Sequence, residues 1–157
     1  MHTCEHLHEL FIYNDWANRR LITTLEEQEC PRAREILVHL LITQQEYLER
    51  LDGKDSTGLN FWPALSIEEC SELSDRTSER YSEILTSNDE SSLDRIAGYK
   101  TSEGLAYQNT FREILTHVLI HSSIHRGNII LKLRESGIDP PKIDYIIFLR
   151  EKSTPVD

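Results

Sequence analysis

The chain has 157 residues, of which 38% are apolar and 8% aromatic: enough for one domain with one packed core, and out of keeping with a disordered or low-complexity segment. A formal net charge of −10 opposes non-specific binding to nucleic acid or to an anionic membrane, because phosphate contact needs clustered Lys and Arg, and no such cluster occurs. No stretch approaches the roughly 20 apolar residues of a membrane span, and the N-terminus MHTCEHLHEL lacks a signal-peptide core, so a soluble, cytoplasmic protein is expected.

Residues from about 4 to about 27 read as a first helix, because Leu7, Leu10, Phe11, Asn14, Ala17, Asn18, Leu21 and Leu25 share one face. Pro31 suits the first turn of a second helix, whose stripe holds Ile36, Leu37, Leu40, Leu41, Leu48 and Leu51, with His39 at its edge and Gly53 as a natural stop. A loop ending in Phe61, Trp62 and Pro63 follows. Ser66 and Glu69 form a capping-box pattern that opens a third helix, running to about Thr86. SNDESSLD reads as a polar break, and IAGYKTSEGLAYQN as a short β-hairpin turning around Ser102–Gly104. Thr110 and Glu113 repeat the capping-box pattern at the head of a fourth helix, which Gly137 ends. The apolar tail, with Ile143, Tyr145, Ile146, Ile147, Phe148 and Leu149, is expected to dock on the body or on a partner. The fold class expected is all-α, a four-helix bundle with a short β-hairpin before the last helix, in one domain spanning 1–157.

Cys4, Cys30 and Cys70 are odd in number, far apart and without a CxxC, which fits reduced thiols. Three of the seven histidines lie in THVLIHSSIHRG at a spacing of four, the separation that places side chains on one helix face. With Val118 at zero on the helical wheel, His125 falls near about −20°, His121 near about −60° and His117 near about −100°, so the first two point inward and the third stands at the boundary. Buried imidazoles need partners. Hydrogen bonds to backbone or amide groups are one answer. A shared metal ion is the other, and His39 on another inward face favours it, because three His ligands with one position open is the pattern of catalytic zinc.

HVLIHSSIHRGNI resembles the HxxxHxxxHRGQ-type signature of DinB-like proteins, a family of metal-binding four-helix bundles, with Asn128 where Gln is common. FIYNDWANRRLITTL, ILVHLLITQQEYL, GYKTSEGLAYQNTFREILTHV and IDYIIFLRE resemble that family's first helix, second helix, hairpin and C-terminal segment, so the likeness spans nearly the whole chain and is weakest at 53–90. The resemblance implies three ligands at His39, His121 and His125, with His117 outside them. It implies one divalent metal ion, zinc or nickel first and iron or manganese next. It also implies a small-molecule substrate such as a low-molecular-weight thiol, transferred to an electrophile in detoxification or stress response. A metal-dependent hydrolase and a non-catalytic metal-binding protein are the alternatives.

Other residues admit two readings. Asn14 and Asn18 line the metal pocket or make an ordinary buried hydrogen bond. Arg126 binds an acidic group of a ligand or partner, or serves as a structural salt bridge or cap. Gly127 inside a helix implies close packing. Trp62 covers the pocket mouth or plugs the core. His2, Cys4, His6 and His8 could form a softer site, against which the fraying of chain ends speaks. Ile12 and Trp16 lie opposite the core stripe of the first helix, and with the apolar tail they suggest a homodimer, unless Trp16 rests under the chain's own tail.

Overall fold

The computed structural model describes residues 3–153 and residue 155. Helix α1 covers Thr3–Glu27, α2 Pro31–Leu51 and α3 Ile67–Ser87. Strands β1, Ile96–Lys100, and β2, Ala106–Thr110, form an antiparallel hairpin that pairs Ile96 with Thr110 and Lys100 with Ala106. Helix α4, Phe111–Glu135, follows without a break, and a short α5 covers Tyr145–Lys152. The architecture is therefore the all-α bundle with a hairpin before its last long helix.

Local chemistry sets these boundaries. Ser66 Oγ accepts from the Glu69 N–H at 3.2 Å while the Glu69 carboxylate accepts from the Ser66 N–H at 2.7 Å. Thr110 and Glu113 do the same at 3.1 and 2.9 Å. Both capping boxes satisfy backbone donors that no helix can satisfy internally. Gly53 and Gly137 stop α2 and α4 at φ of 76° and 75°, a left-handed conformation that side chains resist. Two stretches carry more structure than their composition suggests. SNDESSLD holds a 3-10 turn at Glu90–Asp94, capped by Asp89, and the carboxylate of Glu90 accepts the first N–H groups of α1 from Thr3 and Cys4, each at 3.2 Å. The apolar tail winds into α5.

That tail docks on α1. Tyr13 donates its hydroxyl hydrogen to the Ile143 carbonyl at 2.8 Å, the Trp16 and Phe148 rings lie 5.4 Å apart, and Arg20 pairs with Glu151 at 2.6 Å. Trp16 thus rests under the chain's own tail.

Both α1 and α2 pack against α3 and α4, so α1 and α2, joined by a short turn, stand across the bundle from each other. The core divides into two apolar clusters. One holds Leu21, Leu37, Leu41, Leu73, Ile129 and Leu133, and the other holds Phe11, Tyr81, Leu85, Phe111, Leu115 and Val118. Buried Asn14, Asn18, Gln44, Thr77, Ser122 and Arg126 lie between them in sequence on all four long helices, forming a polar belt. Among the described residues no helix is long and apolar enough to cross a membrane.

The capping box at the head of α4 can be tested by chemical denaturation. Thr110→Ala should lose about 1 kcal/mol of stability and Thr110→Ser almost none. A Thr110→Ala protein as stable as its parent would show that the cap does not hold the entry to α4.

Candidate metal centre

His39 projects from α2, and His121 and His125 from successive turns of α4. Their ligand-competent atoms all lie within 4.8 Å of one another. Ring centroids are separated by 5.3 Å for His39–His121, 4.7 Å for His39–His125 and 4.4 Å for His121–His125. The three sequence-derived candidates are therefore brought together, and the group could hold a metal ion. His117 stands one turn outside, its ring 5.6 Å from that of His121, and it does not belong to the group.

The tautomer of His39 follows from its partner. Nδ1 lies 3.0 Å from the Phe61 carbonyl oxygen, which can only accept, so Nδ1 carries the proton and Nε2 carries the lone pair. The loop that supplies this carbonyl is shaped by Asn60, whose Oδ1 accepts from the Trp62 N–H at 2.9 Å. The Trp62 ring stacks on His39 at 3.9 Å with an interplanar angle of 3° and stands edge-on to His125 at 6.5 Å. Because Trp62 is 54% exposed, it covers the centre from outside and does not plug the core.

His121 and His125 face each other through their Nε2 atoms, 3.1 Å apart, and neither buried Nδ1 has a hydrogen-bond partner among the described residues. Burial pushes all three imidazoles below the usual His range. The effect is largest at His121, which burial and then the neighbouring His125, His39 and His117 bring down to about 4. Near neutral pH the centre therefore presents three uncharged imidazoles with converging nitrogens. This donor set fits a divalent cation, since metal needs the deprotonated form and each neutral ring offers one lone pair.

A network that the sequence reading missed supports the loop. Arg50 is buried, with its guanidinium 4.6 Å from the Tyr47 ring, 4.9 Å from Tyr99 and 5.7 Å from Phe61. Its Nε donates to Ser56 Oγ at 3.1 Å, and Ser56 donates to the buried Glu46 carboxylate. The signal was present as an acid–base pair four residues apart on an otherwise buried face. Beside the triad, Tyr47, Tyr99, Asn109, Glu113, Ile114 and His117 line a cavity of about 230 Å3.

Several expectations are corrected. Among the described residues Arg126 neither forms a salt bridge nor caps α4. It is buried and donates to Asn14 Oδ1 at 2.5 Å and Asn18 Oδ1 at 3.2 Å, so those amides face Arg126 and not the histidines. Gly127 has open space where a side chain would stand, so close packing within the chain does not account for it. Near the N-terminus, the Cys4 thiol donates to the Asp89 carbonyl and His8 bonds Ser82 Oγ at 2.9 Å. These contacts take both residues away from a shared site, and His2 lies outside the described residues.

Residues 1–155 match the model of the DinB family. The chain is 30% identical over 160 residues to Protein DinB of Bacillus subtilis (strain 168), covering 90% of this chain and 92% of that protein. No solved structure matches.

The depressed imidazole pKa values make the metal-free protein sensitive to acid. Between the ordinary value of 6.5 and about 4 at His121, the unfolded chain binds more protons than the folded one. Stability is thus fully present above that window and is lost as pH falls through it. Denaturation midpoints should fall over this window, and His121→Leu should flatten the decline. An unaltered pH profile in that variant would show that His121 is not held neutral by the fold.

Proposed function

The chain belongs to the DinB family, and on this premise we propose that His39, His121 and His125 hold one divalent metal ion, zinc or nickel, at which a low-molecular-weight thiol is activated for transfer to an electrophile. One observation carries the reading: three imidazoles from two helices, all favoured in the neutral form, converge without a carboxylate or thiolate among them. A divalent ion held there supplies Lewis acidity that lowers the pKa of a thiol. Because the three donors are uncharged, they would leave the full charge of such an ion available to favour the thiolate form. In such a transfer the thiol S–H would give up its proton to solvent water, the sulfur would form a bond to the electrophilic carbon, and that carbon's bond to its leaving group would break with both electrons going to the leaving group.

The chain's own residues divide the remaining work. Phe61 orients His39 through its carbonyl, and Trp62 shields that ring from water. The cavity of about 230 Å3 beside His117 gives the substrate a place next to the triad, with Tyr47, Tyr99, Asn109 and Glu113 as polar contacts. Three unpaired cysteines support a reducing, cytoplasmic setting for such chemistry.

Metal analysis tests the site. Changing His39, His121 or His125 to Ala should abolish most metal binding, while His117→Ala should leave it nearly intact, and equal loss at His117 would overturn the ligand set. Cobalt-loaded protein then tests the chemistry. Adding 2-mercaptoethanol should produce a thiolate-to-metal absorption band and a cobalt-dependent reaction with an alkylating electrophile. Metal retained without any response to thiols would reject thiol transfer and leave a hydrolase or a non-catalytic metal protein.

A further inference from the structure

Helix α2 carries both a member of the triad and the anchor of the loop that orients it. His39, Glu46 and Arg50 lie within about 40° of one another on the wheel, and Arg50 stands about 16 Å further along the axis than His39. After Leu51 the chain turns at Gly53 and runs back until the Phe61 carbonyl meets His39 Nδ1 at 3.0 Å. The first half of this loop is tied to the hairpin side through the backbone. Ser56 N–H donates to the Lys100 carbonyl at 3.2 Å, and Gly58 N–H to the Ser102 carbonyl at 3.0 Å. The second half is not: among the described residues no backbone–backbone hydrogen bond joins 59–65 to a helix or to the hairpin.

Side chains act there instead, and Arg50 is central to them. Its guanidinium lies 5.7 Å from the Phe61 ring, and the Phe61 ring stands edge-on to His39 at 6.4 Å, so the three side chains form a file from Arg50 to the triad. The guanidinium is itself fixed. The Tyr47 and Tyr99 rings lie 4.6 and 4.9 Å away, Nε donates to Ser56 Oγ at 3.1 Å, and the buried Glu46 carboxylate, 4.0 Å distant, offsets the charge. A buried ion pair is often no more stable than apolar groups of the same size, so stability alone gives little reason for this one.

We propose that Arg50 is a positioning residue of the metal centre: by holding Phe61 it keeps the loop carbonyl on His39 Nδ1, and so keeps the Nε2 lone pair aimed at His121 and His125. This role rests on the metal reading of His39, His121 and His125. Without the anchor, the proton of His39 is no longer tied to Nδ1. The Nε2–H form, which has no lone pair at that nitrogen to offer a metal, then becomes populated. Partners that hold the second nitrogen of a ligand imidazole typically alter metal affinity by about 10- to 100-fold. The sign separates this role from a charge effect. Through charge alone, loss of the Arg50 cation would strengthen the binding of another cation. Through the loop, its loss weakens that binding.

Two measurements on the intact chain decide it. Long-range proton–nitrogen-15 spectra of the metal-free protein near neutral pH read the tautomer of His39, and competition with a chromophoric chelator reads zinc affinity. The main variant is Arg50→Met combined with Glu46→Gln, which leaves no unpaired buried charge and keeps an acceptor for Ser56; Glu46→Gln alone is its reference. Arg50→Lys, which keeps a cation beside Glu46 but lacks the planar fork, is the second variant and guards against a misfolded first. Wild type and reference should show Nδ1–H. Both Arg50 variants should populate Nε2–H and bind zinc about tenfold or more weakly. An unchanged tautomer overturns the role of Arg50, and so does zinc binding as tight as the reference's or tighter. A wild type without zinc affinity overturns the metal reading instead, and the tautomer spectra still decide whether Arg50 sets His39.

Discussion

Three half-buried imidazoles must stay uncharged inside one bundle, and much of the local architecture answers to that requirement. A protonated ring there would lose hydration and sit against two others. At 3.1 Å, the ε-nitrogens of His121 and His125 leave room for at most one proton between them. The third ring is held by a carbonyl that fixes its tautomer and by an indole that excludes water from one face. The consequence is a set of converging nitrogen donors poised for a cation near neutral pH, at the level of the bundle where the two apolar clusters give way to polar residues.

The polar belt has a second role, in setting rotation. Arg126 follows His125 directly, so the two side chains leave α4 about 100° apart. Asn14 and Asn18 hold Arg126 toward α1 through their amide oxygens. Once Arg126 is fixed there, His125 has to face α2, where His39 stands. A buried guanidinium without a carboxylate is unfavourable by itself. The two amides and the Tyr13 ring, 5.4 Å away, are what make it tolerable. The pair of inward asparagines on α1 therefore serves the triad indirectly, by orienting the helix that carries two of its members.

Much of this was legible in the sequence, and the boundary of legibility is physical. The four long helices, both capping boxes and the hairpin follow from short-range signals: periodicity, a Ser or Thr three residues before Glu, a Gly at a helix end. The convergence of His121 and His125 follows from their spacing. What stayed hidden depends on contacts between distant segments. Whether Asn14 meets a metal or Arg126 depends on how α1 and α4 are turned, and no local pattern encodes that. The helical turn at Tyr145–Lys152 forms against Tyr13 and Trp16, more than a hundred residues earlier in the chain. The Phe61 carbonyl carries no residue-type signal, because any residue could supply it.

The arithmetic of the α-helix explains why a row of three histidines yields only two members of the triad. A spacing of four advances the wheel by about 40° beyond a full turn, so His117, His121 and His125 drift across the face of α4 and do not stack. On the wheel His125 lies nearest the direction of the core, His121 follows, and the exposed His117 reaches the rim. Three side chains on such a diagonal cannot share one point, so a closed set of donors has to recruit from another helix. Helix α2 meets this need because it packs along α4, and His39 enters at the level of His121 and His125. The histidine left over stands against Tyr47, 4.8 Å ring to ring, on the wall of the adjacent cavity. The same drift that keeps His117 out of the triad thus places an imidazole where a molecule approaching the centre from that cavity would meet it.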